Sequence, residues 1–257
     1  MIRVIRNIIM GPEPKPAVRA EAKPDGKDAY KGVTERVLVA CPTYSGKSYS
    51  LEAYISAYNA FTYPLRSIYM VDNSGNGLKY YEHLKKCGIE ADHIDPTRDF
   101  HETFTMCWKR IARKAKEGGY KWVMSIEADN ICPPLTIDAL LNVAGYCRAL
   151  HVAHAYPWHK CQSEQGFLTG LGCNLIDAEM LWQMFDREQW YTSAVESEIY
   201  EYPKLKGYPT VELYNVLDVK HMDDGVGAEQ YIFQNETLPV MGKTPDELVP
   251  IKYNKAA

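Results

Sequence analysis

The chain has 257 residues, 46% of them hydrophobic and 24% charged, with a formal net charge of −4. This is the composition of a soluble globular protein with enough chain for a sizeable core, and it excludes a low-complexity sequence. The slight acidity gives no overall pull towards nucleic acid, although a local basic patch can act alone.

The seven cysteines are odd in number and scattered, and no CxxC pair occurs. Neither a zinc site nor a disulfide framework follows, so the expectation is buried thiols in a reducing cytoplasm. No stretch is long and apolar enough to span a bilayer. Met1–Met10 alternates apolar and basic residues without the h-region of a signal peptide.

In chain order, IRVIRNIIM fits a short strand or a helix equally, and 11–27, rich in Pro, Lys, Ala and Glu, reads as an extended linker. Arg36–Tyr44 is a buried strand with a Pro-Thr-Tyr exit. Ser50–Phe61 is helical, with Leu51, Tyr54, Ile55 and Tyr58 on one side. Arg66–Gly77 is a strand running into a turn-rich loop. Leu78–Gly88 is an amphipathic helix stopped by Gly88. Ala91–Thr97 holds a short strand, and Glu102–Gly118 is a helix whose Trp108, Ile111 and Ala115 face the core. Its basic run KRIARKAK falls on the opposite, solvated side.

Trp122–Ile126 is the next apolar strand. Thr136–Leu150 is a helix, and His151–Lys160 a strand leading into a loop. Gly166–Leu181 is glycine-rich and turns helical near Asp177. Residues 182–208 are aromatic and acidic, and Pro209–Asp224 is a strand or hairpin ending at His221. Thr244-Pro245-Asp246-Glu247 fits a capping box opening a last short helix. The β-α-β-α order implies a mostly parallel, Rossmann-like α/β sheet with helices on both faces.

The Trp122 strand ends in Glu127 and Asp129, followed by Pro133–Pro134. In an extended chain such i, i+2 residues point the same way, so the strand delivers two acids side by side at its carboxyl end. Open α/β sheets bind ligands at that edge. Adjacent acids repel unless a cation lies between them, and a divalent metal carrying a diphosphate fits. A solvated acidic turn is the plain alternative.

Two nucleotide-binding readings compete. CPTYSGKS (Cys41–Ser48) nearly spells a P-loop: Gly46, Lys47 and Ser48 match, and Cys41 stands where the first glycine belongs. On that reading the protein is a nucleotide kinase or NTPase. The second reading uses more of the chain. Pro42-Thr43-Tyr44 at one strand exit, VDNSG (Val71–Gly75) at the next, and Glu127-Ala128-Asp129 before Pro-Pro occur in order. Together they resemble the GT-A nucleotide-sugar glycosyltransferases, in particular the large inverting family that includes cellulose and hyaluronan synthases. The resemblance covers Arg36–Asp224.

The resemblance implies an N-terminal arm and Pro-rich linker over 1–33 and a GT-A domain over 34–257. Within it, about 34–134 would be the nucleotide-binding half, 135–225 the acceptor side, and 226–257 a tail or lid. It implies that Pro42, Thr43, Tyr44, Asp72 and Asn73 hold the nucleoside. Asp129 would contact Mn2+ or Mg2+, with Glu127 acting through water or on the ribose, and His221 would be a third ligand. Glu127 stands where the family has Asp. Glu196 and Glu198, counted back from Gly207-Tyr208, are the candidate catalytic bases; both are Glu where Asp is usual. Gly170 and Gly172 in TGLGCN would line the donor sugar. Trp158, Trp182 and Trp190 are candidates to stack on a sugar.

The implied partner is a nucleotide-sugar donor, UDP-linked by default. The acceptor is open among saccharide, lipid-linked glycan, protein and modified DNA base. A sugar-nucleotide-binding module without catalysis is a further alternative.

Overall fold

The computed structural model describes residues 34–155, 162–163, 166–167, 170–187, 195–214, 216–222 and 250–254. The expected arm over 1–33, the capping box at 244–247, and Trp158 and Trp190 lie outside them.

The chain opens with β1 (Val37–Thr43), β2 (Arg66–Asp72), β3 (Glu90–His93) and β4 (Trp122–Ser125). β1 lies between β2 and β4, β3 flanks β2, and all four run parallel. Val37, Leu38, Val39 and Ala40 are 0% exposed, as a central strand covered on both faces requires.

The connections are α1 (Leu51–Ala60), α2 (Lys79–Lys86) and α3 (Phe100–Glu117). α3 begins two residues before the expected Glu102. The Asp99 side chain accepts from the amides of His101, at 2.8 Å, and Glu102, and so caps the helix there. Trp108, Ile111 and Ala115 are fully buried, which confirms the predicted core face. Part of the basic face is paired locally: Lys114 with Glu90, Lys116 with Glu179, and Arg110 with Asp92.

Beyond β5 (Asn130–Ile131) the second half adds α4 (Thr136–Cys147), β6 (His151–Ala155), β7 (Gln162–Ser163), β8 (Gly166–Phe167), β9 (Asn174–Asp177), α5 (Ala178–Phe185), α6 (Val195–Leu205), β10 (Thr210–Tyr214), β11 (Lys220–His221) and β12 (Pro250–Asn254). α4 stops three residues before the expected Leu150, with Arg148 in the left-handed region at φ 52°. The eight-stranded sheet has the order β12-β10-β6-β9-β4-β1-β2-β3.

One feature departs from the sequence reading. β9 was hidden in the glycine-rich stretch. It runs antiparallel to both β4 and β6 and joins the two halves of the sheet. Asp177 ends β9 and caps α5, accepting from the Met180 amide at 2.8 Å. In the Pro209–Asp224 region the strand alternative holds, and its described residues form no hairpin. β10 pairs parallel with β6, whereas β11 leaves the main sheet and pairs antiparallel with β5. Among the described residues no helix is long and apolar enough to cross a membrane.

Candidate active site

The strand exits of β1 and β2 are in register, with Thr43 opposite Asp72. Asp72 is 0% exposed. Its Oδ1 accepts from the Ser74 amide at 3.0 Å and the Ser74 hydroxyl at 2.6 Å, the local turn that Asp before Ser-Gly favours. Its Oδ2 lies 2.9 Å from Nδ1 of His93, its register partner on β3. His93 escaped the sequence reading, because only the strand register brings it to Asp72. Asn73 donates its amide to Thr43 at 2.9 Å and so fixes one exit against the other. Tyr44 is 47% exposed, which rules out a core aromatic.

The P-loop alternative fails on geometry. Cys41 and Pro42 belong to β1 and pair with Met70 and Val71, so the start of the would-be phosphate loop is a strand. The following Ser45–Ser50 is a 3-10 turn. Lys47 points instead at the acid pair, where its ammonium meets Asp129.

β4 ends at Ser125, one residue before the expected Ile126, and the acids lie beyond it in a turn closed by Asn130 N donating to Glu127 O at 2.8 Å. The two acids are therefore held by a turn and not, as expected, by the pleat of an extended strand. The Ser50 hydroxyl braces the turn at Ala128 O, 2.8 Å away. Asp129 is 1% exposed, and three donors converge on its Oδ2. These are Lys47 Nζ, His221 Nε2 at 3.3 Å and the Tyr49 hydroxyl at 3.4 Å. Burial alone would raise its pKa, but His221 and Lys47 outweigh it and hold the carboxyl at about 2. Glu127 goes the other way. Burial, then the charges of Asp129 and Glu196, push it up to about 7.

β11 brings His221 opposite Asn130, and the Met222 amide donates to Asp129 O at 2.8 Å. The approach to β11 is held by His154, whose Nε2 accepts from the amides of Val216 at 3.1 Å and Leu217 at 3.0 Å. His154 thus has a structural role.

Glu196 and Glu198 sit in the first turn of α6 but have different surroundings. Glu196 is half-buried, and burial raises its pKa, while His101 at the start of α3 opposes the rise. Glu198 is 0% exposed and paired with Arg187, whose guanidinium lies 4.3 Å from the centre of the Tyr202 ring. Of the two candidate bases, Glu198 is thus the one paired inside the fold. Gly172 O accepts from Asn130 Nδ2 at 3.0 Å, and Gly170 O accepts from Asn174 Nδ2 at 2.9 Å. The glycine segment is thereby stitched beside the acid turn. Trp182 packs against the core.

Among the described residues, no three His, Cys, Asp or Glu side chains form a ready-made metal cage. Asp129 and His221 converge as a pair. Such a donor set fits Mg2+ or Mn2+, which take one or two protein ligands and complete their shell with substrate phosphates and water.

No protein-family profile matches the chain, and no curated protein matches it in sequence. Solved structures do match in fold. Glucosyl-3-phosphoglycerate synthase from Mycobacterium tuberculosis, solved with phosphoglyceric acid, superposes with a TM-score of 0.54 at 13% identity, over 77% of this chain and 75% of that one. TarS residues 1–349 from S. aureus, solved with UDP-GlcNAc, gives 0.50 at 10% identity, over 76% of this chain. The chain spans 60% of that TarS structure. The fold is therefore a Rossmann-like GT-A fold, mostly parallel in its sheet.

Proposed function

We propose that the protein is a glycosyltransferase that moves a sugar from a nucleoside-diphosphate donor to an acceptor hydroxyl. One observation carries the reading. On a GT-A fold, the buried Asp129 gathers His221 and Lys47, while Glu127 lies within electrostatic reach of both and of Glu196. A buried acid cluster with convergent cations suits a diphosphate and the charge it gains on leaving.

Asp72, with Thr43, Tyr44, Asn73 and Pro42 around the strand exits, would hold the nucleoside. A buried carboxylate can accept from a base N–H or a ribose hydroxyl. Asp129 and His221 would hold Mn2+ or Mg2+. When bound, the metal would neutralise charge on the departing diphosphate. Glu127 would lie against the ribose or reach the metal through water, and Gly170 and Gly172 would let the sugar approach the backbone.

Glu196 is the base of this scheme. Its carboxylate takes the proton of the acceptor hydroxyl as that oxygen bonds to the anomeric carbon and the carbon–diphosphate bond breaks. Its raised pKa makes it a stronger base than an ordinary surface carboxylate. A single base and direct displacement invert the anomeric centre. TarS, the UDP-GlcNAc-bound neighbour in fold, supports UDP as the donor nucleotide.

A thermal-shift panel of UDP, GDP, TDP and ATP with Mn2+ tests the reading. A shift with UDP is expected, together with UDP-sugar hydrolysis or transfer that Asp129→Ala abolishes. Stabilisation by ATP alone refutes it.

A further inference from the structure

The scheme above counts Lys47 only as a charge beside Asp129 and gives it no contact with the substrate, yet its ammonium is in direct contact with the acid turn. Its Nζ pairs with Asp129 Oδ2, the oxygen that also faces His221 at 3.3 Å and Tyr49 at 3.4 Å. Its side chain is 29% exposed against 1% for Asp129, so it comes in from the solvent side of the turn.

The turn that carries it is tied at its other end to the β2 exit. Ser45 N donates to Ser74 Oγ at 2.7 Å, and that hydroxyl donates to Asp72 at 2.6 Å. Asn76 Nδ2 adds a bond to Ser45 Oγ at 3.2 Å. The segment from Ser45 to Lys47 therefore spans the distance between Asp72 and Asp129. A nucleoside diphosphate with its base at Asp72 and its phosphates at Asp129 would lie along that segment and meet the Lys47 ammonium.

We propose that Lys47 is a diphosphate-binding residue that neutralises Asp129 when no metal is bound, so that the site takes a nucleoside diphosphate without a divalent cation. This deepens the reading of the site given above and rests on it. An ammonium on Asp129 Oδ2 and a divalent cation at the same oxygen exclude each other by size and charge. Lysine and metal therefore compete for that oxygen. The lysine is a mobile point charge on a flexible stem, suited to moving between a carboxylate and a phosphate.

The test is calorimetric titration of the full chain with UDP in EDTA, and separately with Mn2+ in the absence of nucleotide. Wild type, Lys47→Met and Lys47→Arg are compared. The wild type should bind UDP in EDTA, and Lys47→Met should lose about tenfold or more of that affinity, as for a charge-assisted contact to phosphate. Lys47→Arg should restore most of it. Lys47→Met should bind Mn2+ more tightly than the wild type, because the competing ammonium is gone. An unchanged melting temperature shows that the variant folds; if Lys47→Met fails to fold, Lys47→Arg and the wild-type EDTA arm decide.

The inference is overturned if Lys47→Met binds UDP in EDTA as the wild type does, or if its Mn2+ affinity is equal or lower. It is overturned, with the site reading intact, if the wild type binds UDP in Mn2+ but not in EDTA. If the wild type binds no nucleoside diphosphate under either condition, the site reading falls and the inference with it.

Discussion

His154 offers a sharp test of how the site is assembled. Its Nε2 accepts two backbone amides, Val216 N at 3.1 Å and Leu217 N at 3.0 Å, and the ring is 0% exposed. Both donors stand a few residues before β11, whose pairing with β5 sets His221 beside Asp129. His154→Leu keeps much of the volume but removes the acceptor. A buried donor left without a partner costs about 1–3 kcal/mol, so two cost about 2–6 kcal/mol. Urea unfolding should show this as a lower midpoint at unchanged slope. His154→Gln, which can still offer an amide oxygen, should recover part of the loss. Because His154 positions the strand that carries His221, Mn2+ affinity measured with UDP should fall by about tenfold. A stability change below about 1 kcal/mol, with Mn2+ affinity unaltered, refutes the reasoning.

The other expectations concern separate parts of the molecule. Glu196→Gln should lower kcat by about a hundredfold or more while leaving the UDP dissociation constant within a factor of about three; tighter loss of binding than of turnover would remove Glu196 from the base role. Glu198→Gln breaks its buried pair with Arg187 and should cost about 3 kcal/mol of stability in urea unfolding. Gly46→Ala places a Cβ 2.2 Å from Cε2 of Tyr44, so that exposed ring must swing aside. UDP affinity should weaken, with a melting temperature close to wild type, and an undisturbed affinity would take Tyr44 out of the nucleoside pocket. Burial holds His151 down to about 4 from its ordinary 6.5, with the Asn174 contact opposing the shift. The unfolded chain therefore takes up this proton first, and stability is lost as pH falls from about 6.5 to about 4, by about 3 kcal/mol in full. His151→Gln should flatten that part of the stability–pH curve, and an unchanged slope would assign the proton uptake elsewhere.

The amino-acid order alone determined the parallel half of the sheet and its helices. Val37–Ala40 and Val123–Met124 are apolar runs buried on both faces, and Trp108, Ile111 and Ala115 recur at helical spacing. Such patterns are local, so they survive in one dimension. The same is true of the acids after β4 and of Asp72 before its turn, because strand exits carry their own turn chemistry. Long-range pairing decided the remainder. Lys220–His221 has no apolar pattern that names its partner, and only the β5–β11 pairing places His221 on Asp129. His93 reaches Asp72 through strand register, and Lys47 reaches Asp129 across 82 positions of sequence. Glu196 and Glu198 look alike in sequence, two residues apart in one helix. What sets them apart is an arginine, Arg187, that only the folded chain brings to Glu198. Local spacing encodes elements, whereas the environment of a charge depends on what packs against it.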